Sequence, residues 1–183
     1  MLHEHVHDVG LLAVAIGRRF GLDSEQLDEL RRAAELHDIG KLAIPEEILH
    51  RSGPLTEGEQ SFMRQHTIIG ERILNVSPAL RVVAALVRSS HERWDGQGYP
   101  DHLAGEAIPL GSRIIAACDA YDAMASERAY QTPRSTSEAI SELRNVAGSQ
   151  FDPGVIEALC QHLNELPPTD MSVSARRTPA TAS

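Results

Sequence analysis

The sequence predicts an all-α fold of about seven helices in a single domain. Three observations predict it. Apolar residues recur at three- and four-residue spacing in every long segment, and no segment alternates with strand period. Helix-opening signals stand before the apolar runs: Asp23 or Ser24, Thr56 with Glu59, Ser77-Pro78, Pro109, Ser137 and Asp152-Pro153.

Composition bounds what such a bundle can do. With 183 residues, 42% of them hydrophobic, the chain can bury one sizeable core. No apolar run has membrane-spanning length, and the opening His3-Glu4-His5 is unlike a signal peptide, so a soluble cytoplasmic protein with no membrane partner is expected. Cys118 and Cys160 lie in apolar helical contexts and read as buried, reduced thiols. A formal net charge of −9 argues against DNA as a partner, because the phosphate backbone selects a basic face. Nine histidines are many for this length.

The first helix runs from about His3 to Phe20 and ends at Gly21, with His5, Val9, Leu12 and Ile16 on one stripe. The second places Leu27, Leu30, Ala33 and Ala34 inward and carries His37 and Asp38 at its end. His37 falls on the buried stripe. Burying the neighbouring carboxylate requires a cation, and no Lys or Arg precedes it on that face, which points to a metal ion. Ile44-Pro45 breaks the pattern, and residues 51–54 read as a loop. The helix opened by Thr56 and Glu59 sets Phe62, His66, Ile69 and Ile73 on one face. The next has Val83 and Val87 inside and leads to Ser90 and His91. Residues 92–109, rich in Gly and Pro, form a long loop of the kind that is usually functional. Pro109 opens a helix with Ile115, Asp119 and Asp122 on one stripe, and Arg128 follows it. Helices from Ser137 to Gly148 and from Asp152 to about Asn164 complete the domain, residues 1–166. The tail, residues 167–183, is expected to be disordered.

His5, His37, Asp38, His66, His91 and Asp119 therefore reach inner faces from five helices or helix ends. Each alone is more often structural; together they indicate a metal cluster. Histidine and carboxylate donors without thiolate suit Fe, Mn or Zn. A carboxylate such as Asp38 can bridge two ions, which form a clamp for in-line displacement at phosphorus.

These residues belong to a longer pattern: Leu36-His37-Asp38-Ile39-Gly40-Lys41, Gly53-Pro54-Leu55-Thr56, His66, His91-Glu92-Arg93-Trp94-Asp95-Gly96-Gln97-Gly98-Tyr99-Pro100, Arg113-Ile114, Asp119-Ala120-Tyr121-Asp122 and Phe151-Asp152-Pro153. In that order and spacing the chain resembles the HD-GYP subgroup of HD-domain metal-dependent phosphohydrolases, from about His5 to Ala158. The resemblance implies an HD-domain helical bundle with a long GYP loop. It also implies a phosphodiesterase that hydrolyses cyclic di-GMP to linear pGpG, and in some members onward to GMP, by attack of a metal-bridging hydroxide on phosphorus. It implies two divalent ions, Fe or Mn first, with Zn, Ni or Mg as alternatives. His5, His37, Asp38 and Asp119 would hold one ion, and Asp38, His66 and His91 the other. Lys41 and Arg128 would bind phosphate, and Tyr99 would contact a guanine or a phosphate. A regulatory protein, or a sensory domain on the N-terminal side, is the implied partner, and a homodimer is left open.

Three positions depart from the resemblance. Ser90 stands where the family usually has a histidine, Met1 where three-metal members have a glutamate, and Gln131 where a basic residue often binds phosphate. Two ions at most and weaker substrate affinity are the expectation. Two rival readings accompany the enzyme: a degenerate module that binds nucleotide or protein with little turnover, and an HD-type hydrolase of another nucleotide.

Overall fold

The computed structural model describes residues 2–51, 53–126 and 134–165, with side chains from position 9 onward. Nine α-helical segments occur among these residues: α1 (Leu2–Arg19), α2 (Ser24–Leu36), α3 (Glu46–Leu49), α4 (Glu57–Arg64), α5 (His66–Leu74), α6 (Arg81–Arg88), α7 (Leu110–Ala125), α8 (Thr136–Asn145) and α9 (Pro153–Glu165). Short 3-10 turns cover Ile39–Ala43, Pro78–Leu80 and Gly105–Ala107. The described residues contain no strand, only an isolated bridge between Ala147 and Phe151. None of their helices is long and apolar enough to cross a membrane.

α7 is the centre of the packing because it is apolar nearly all round: Ile114, Ile115, Ala117 and Cys118 are all fully buried. α1 and α2 close over one side of it with Val9, Ala13, Ile16, Leu30, Ala33 and Ala34, and α6 contributes Val83 and Val87. α8 and α9 seal the other end with Leu143, Ile156 and Leu159. Burying each Leu or Ile side chain contributes about 1.5–3 kcal/mol, so this core fixes where α7 delivers its later residues. Cys118 and Cys160 are buried and unpaired, as expected.

The capping chemistry follows the sequence closely. Asp23 accepts from the backbone N–H of Glu25 and Gln26, and Thr56 and Glu59 form the reciprocal box that opens α4. α8 starts slightly earlier than expected: Ser135, not Ser137, is its cap, with Glu138 closing the box. Pro78 begins a 3-10 turn, and α6 proper starts at Arg81.

The all-α bundle is as expected, and the structure refines its helix boundaries in two places. A four-residue helix, α3, forms directly after Pro45. The helix opened by Thr56 is broken at Gln65, whose N–H bonds the Phe62 carbonyl three residues back. The single stripe expected for that helix breaks with it: Phe62 and Ile73 are exposed, and the buried residues of α5 are His66, Thr67, Gly70 and Leu74. The His66 ring causes part of this, since its Nδ1 lies 2.7 Å from the Met63 carbonyl that an uninterrupted helix would reserve for Thr67.

Candidate metal centre

Three helix ends converge beside α7, and the chemistry of helix ends explains their aim. The last four carbonyls of an α-helix have no partner within it. His37, just past α2, places Nδ1 2.7 Å from the Ala34 carbonyl, and His66, just past α4, does the same at Met63. A carbonyl only accepts, so both Nδ1 atoms carry the proton. In the neutral ring Nε2 is then a bare lone pair. Both rings are almost wholly buried, at 2% and 1% exposure.

Those lone pairs face carboxylates. His37 Nε2 is 3.7 Å from Asp38 Oδ2 and 3.7 Å from Asp119 Oδ1. His66 Nε2 is 3.6 Å from Asp38 Oδ1. The rings of His66 and His91 meet edge to face, 4.9 Å between centroids. One donor atom each from Asp38, His66 and His91 lies within 4.8 Å of the others.

Whether these residues suit a cation is decided by what they leave unpaired. Among the described residues Asp38 Oδ1, His66 Nε2 and His91 Nε2 are buried without a hydrogen-bond partner. Three unpaired buried polar atoms so close together would be costly in a finished core, and a metal ion bound by Asp38 Oδ1 and the two Nε2 atoms satisfies all three. Burial lowers the proton affinity of His66 and, more strongly, of His91, which keeps both in the neutral, ligating form. Burial pushes Asp38 up, but His37, then Lys41, outweigh it and hold the carboxyl below its ordinary range.

Asp38 differs from the sequence expectation in one respect. The α-helix ends at Leu36, so Asp38 stands immediately before the 3-10 turn and its side chain is one-third exposed rather than buried beside His37. It also has a protein cation: Lys41 Nζ is 2.7 Å from Oδ2. The lysine neutralises Oδ2, which His37 Nε2 also faces, and leaves Oδ1 to His66. Gly40 lies within the 3-10 turn that follows α2. A Cβ at position 40 would stand 1.9 Å from the His66 carbonyl oxygen and 2.6 Å from Gly70 N, so glycine is there to let the turn touch α5.

α7 brings Asp119 to the cluster with its side chain 29% exposed. Asp122, on the same stripe, accepts from the Ser126 hydroxyl near the end of α7. Ser90 is buried, and its hydroxyl donates to the Val87 carbonyl at 2.9 Å. A cavity of about 100 Å³ lies beside it, lined also by His91 and Asp119. His5 is in the α1 backbone, but its side chain lies outside the described residues, as do Arg128 and Gln131.

The loop after His91 is built to hold that histidine. Tyr99 stacks on the His91 ring, 5.3 Å between centroids and 9° between planes. Burial pushes its phenol up to about 12, so it stays protonated. Gly98 is required because a Cβ there would lie 2.3 Å from Arg93 N. Sequence reasoning missed Glu92: it is 4% exposed and accepts from the N–H groups of Asp101 and Leu103, folding the loop around itself. It also missed Arg64, whose guanidinium covers the Tyr99 ring at 5.4 Å, and the buried Arg113–Asp152 pair at 2.7 Å beneath Trp94. A charged residue next to His91 was the only available signal for Glu92.

Comparison with known proteins fits this geometry. A cyclic di-GMP phosphodiesterase of Thermotoga maritima is 41% identical over 166 residues, covering 90% of this chain and 45% of that protein. A 3'3'-cGAMP-specific phosphodiesterase of Vibrio cholerae is 37% identical over 163 residues, covering 88% of this chain and 31% of that protein. The chain thus spans less than half the length of these relatives. The crystal structure of a cyclic GMP-AMP-specific phosphodiesterase of V. cholerae shares the fold, with a TM-score of 0.70 at 23% identity over 88% of this chain and 44% of that one. The family model described as HD domain matches residues 2–155. With His37 and Asp38 at the meeting point of its buried donors, the chain belongs to the HD-domain family.

Proposed function

We propose that this chain is a metal-dependent phosphodiesterase that hydrolyses cyclic di-GMP to linear pGpG. The observation that carries the reading is the set of unpaired buried atoms on Asp38, His66 and His91 within a few ångströms of one another. The substrate class rests on the named activities of the relatives.

In this reading Asp38, His66 and His91 hold one divalent ion, and His5, His37, Asp38 and Asp119 hold a second. The histidine and carboxylate donors suit Fe, Mn or Zn alike; iron or manganese is placed first on the resemblance alone, with zinc, nickel and magnesium as alternatives. When bound, the ions supply a nucleophilic water at neutral pH and neutralise charge developing on phosphate oxygens. The protein's own groups do the rest. Lys41, half-exposed beside Asp38, offers its ammonium to the phosphate, and Asp38 holds that ammonium in place until substrate arrives. Tyr99 locks the His91 ring by stacking and keeps a phenol proton to donate. Arg128 is proposed as a further phosphate ligand on the resemblance alone. A regulatory protein or sensory domain, and a homodimer, are proposals of the same standing.

One observation favours a second reading, a nucleotide-binding module with little turnover. The Ser90 hydroxyl donates its proton to the Val87 carbonyl, and the position offers the cluster no imidazole. Incubation of manganese-loaded protein with cyclic di-GMP, with products separated by chromatography beside a binding titration, decides between them. Appearance of pGpG supports the phosphodiesterase. Saturable binding without product supports the module, and neither result points to a hydrolase of another nucleotide.

A further inference from the structure

The proposed centre accounts for a phosphate but not for the bases attached to it. Its cavity of about 100 Å³ is far below the roughly 300–1,000 Å³ that small-molecule pockets occupy. A second recess, of about 370 Å³, reaches that size. It is walled by Glu57, Gln60, Arg64, Gln65, Ile68 and Tyr99. Tyr99 belongs to both places, since the ring that lines the recess is the ring that stacks on His91. A phosphate at the cluster and a base in the recess are therefore separated by about one aromatic side chain, a spacing suited to a single nucleotide.

The lining has a chemical direction. Glu57, Gln60 and Arg64 recur at i, i+3 and i+7, which puts them on one face of α4. The Arg64 guanidinium already lies over the Tyr99 ring, a planar cation against an aromatic wall of the kind on which bases stack. Guanine presents two acceptors, O6 and N7, that match the guanidinium fork, and its N1 and N2 hydrogens match a carboxylate. Adenine offers a donor where guanine offers O6 and an acceptor at N1, so it opposes both residues.

Resting on the cyclic dinucleotide reading, we propose that this recess is a nucleobase subsite selective for guanine, with Arg64 reading O6 and N7 and Glu57 reading N1 and N2. Unlike the ligands, both residues lie outside the metal cluster, so they set which base is accepted and leave metal binding alone.

The test uses mononucleotides that share one phosphate and differ only in the base. Binding of GMP, AMP and ribose 5-phosphate to manganese-loaded protein is measured by titration calorimetry for the wild type, Arg64→Ala and Glu57→Gln. The wild type is expected to bind GMP about tenfold more tightly than AMP or ribose 5-phosphate. Arg64→Ala and Glu57→Gln should each shrink that preference while affinity for ribose 5-phosphate stays the same. Equal wild-type affinity for GMP and ribose 5-phosphate overturns the subsite. So does an Arg64→Ala protein that keeps its GMP affinity within twofold, or one that loses both ligands equally. A guanine preference in a protein that fails to cleave cyclic di-GMP sustains the subsite and removes the phosphodiesterase, whereas cleavage without base preference does the reverse.

Discussion

The Ser90 hydroxyl donates to the Val87 carbonyl at 2.9 Å, the same three-residue back-bond that His37 makes to Ala34 and His66 makes to Met63. Position 90 therefore stands to α6 as the two histidines stand to α2 and α4. A histidine there can take the same carbonyl through Nδ1, which would aim Nε2 toward the cluster, and the adjacent cavity of about 100 Å³ gives the ring room. Ser90→His should raise metal content per chain, read by elemental analysis, and raise turnover with it. Unchanged metal content would show that position 90 does not face the ions.

Gly40 predicts a sharper effect. Because a Cβ at this position would overlap the His66 carbonyl, Gly40→Ala forces the 3-10 turn away from α5 and pulls Asp38 from His66. A cost of about 2 kcal/mol or more is expected for overpacking against backbone, a fall in melting temperature of roughly 5 °C in a chain of this size. Metal content should fall too. Wild-type melting and metal content would contradict the close approach.

Glu92 should matter for the loop rather than for the metal directly. Glu92→Gln puts an amide donor where two backbone N–H groups need acceptors, at a cost of about 1–3 kcal/mol. Trp94, the chain's single tryptophan, lies in this loop and reports it. A lower melting temperature with red-shifted tryptophan emission is the expected result, and an unchanged spectrum would contradict it.

Acid should weaken the metal-free protein before it affects carboxylates. Burial holds His66 and His91 below the ordinary imidazole value of 6.5, so below that pH the unfolded chain takes up protons that these folded rings refuse. Stability therefore rises with pH between the lowered folded values and 6.5, and levels off above. The depressed Asp38 acts in the same sense, but only below its ordinary 3.8. Metal-free melts at about pH 7 and about pH 5 should show a lower transition in acid, with a smaller gap in His91→Asn. Equal transitions for the wild type would count against buried neutral rings.

Much of this was legible in the sequence because helices announce themselves locally. Asp23 and Thr56 open their helices by capping chemistry that acts over three residues, Pro109 stands directly before α7, and Leu30, Ile115 and Val83 reveal their faces by period. Asp38, His66 and His91 were found the same way, as polar residues on or beside apolar stripes. What escaped notice was set by contacts between distant segments. No local signal says that position 40 touches position 66, so the need for glycine at position 40 stayed hidden. The break at Gln65 follows from the His66 ring competing for the Met63 carbonyl, and it turned Phe62 and Ile73 outward against their period. Lys41 pairs with Asp38 through a tight turn that periodicity treats as more helix. Glu92 and Arg64 act on a folded loop whose shape is not written in any one stretch.

Metal binding by the Asp38, His66 and His91 cluster is tested most directly by metal content. Protein purified without added metal is analysed for elements beside Asp38→Asn. The expected result is at least one equivalent of iron or manganese in the wild type, or ready uptake on dialysis, with most of it lost in the variant. A wild-type protein that stays free of metal after dialysis against both ions would contradict the account.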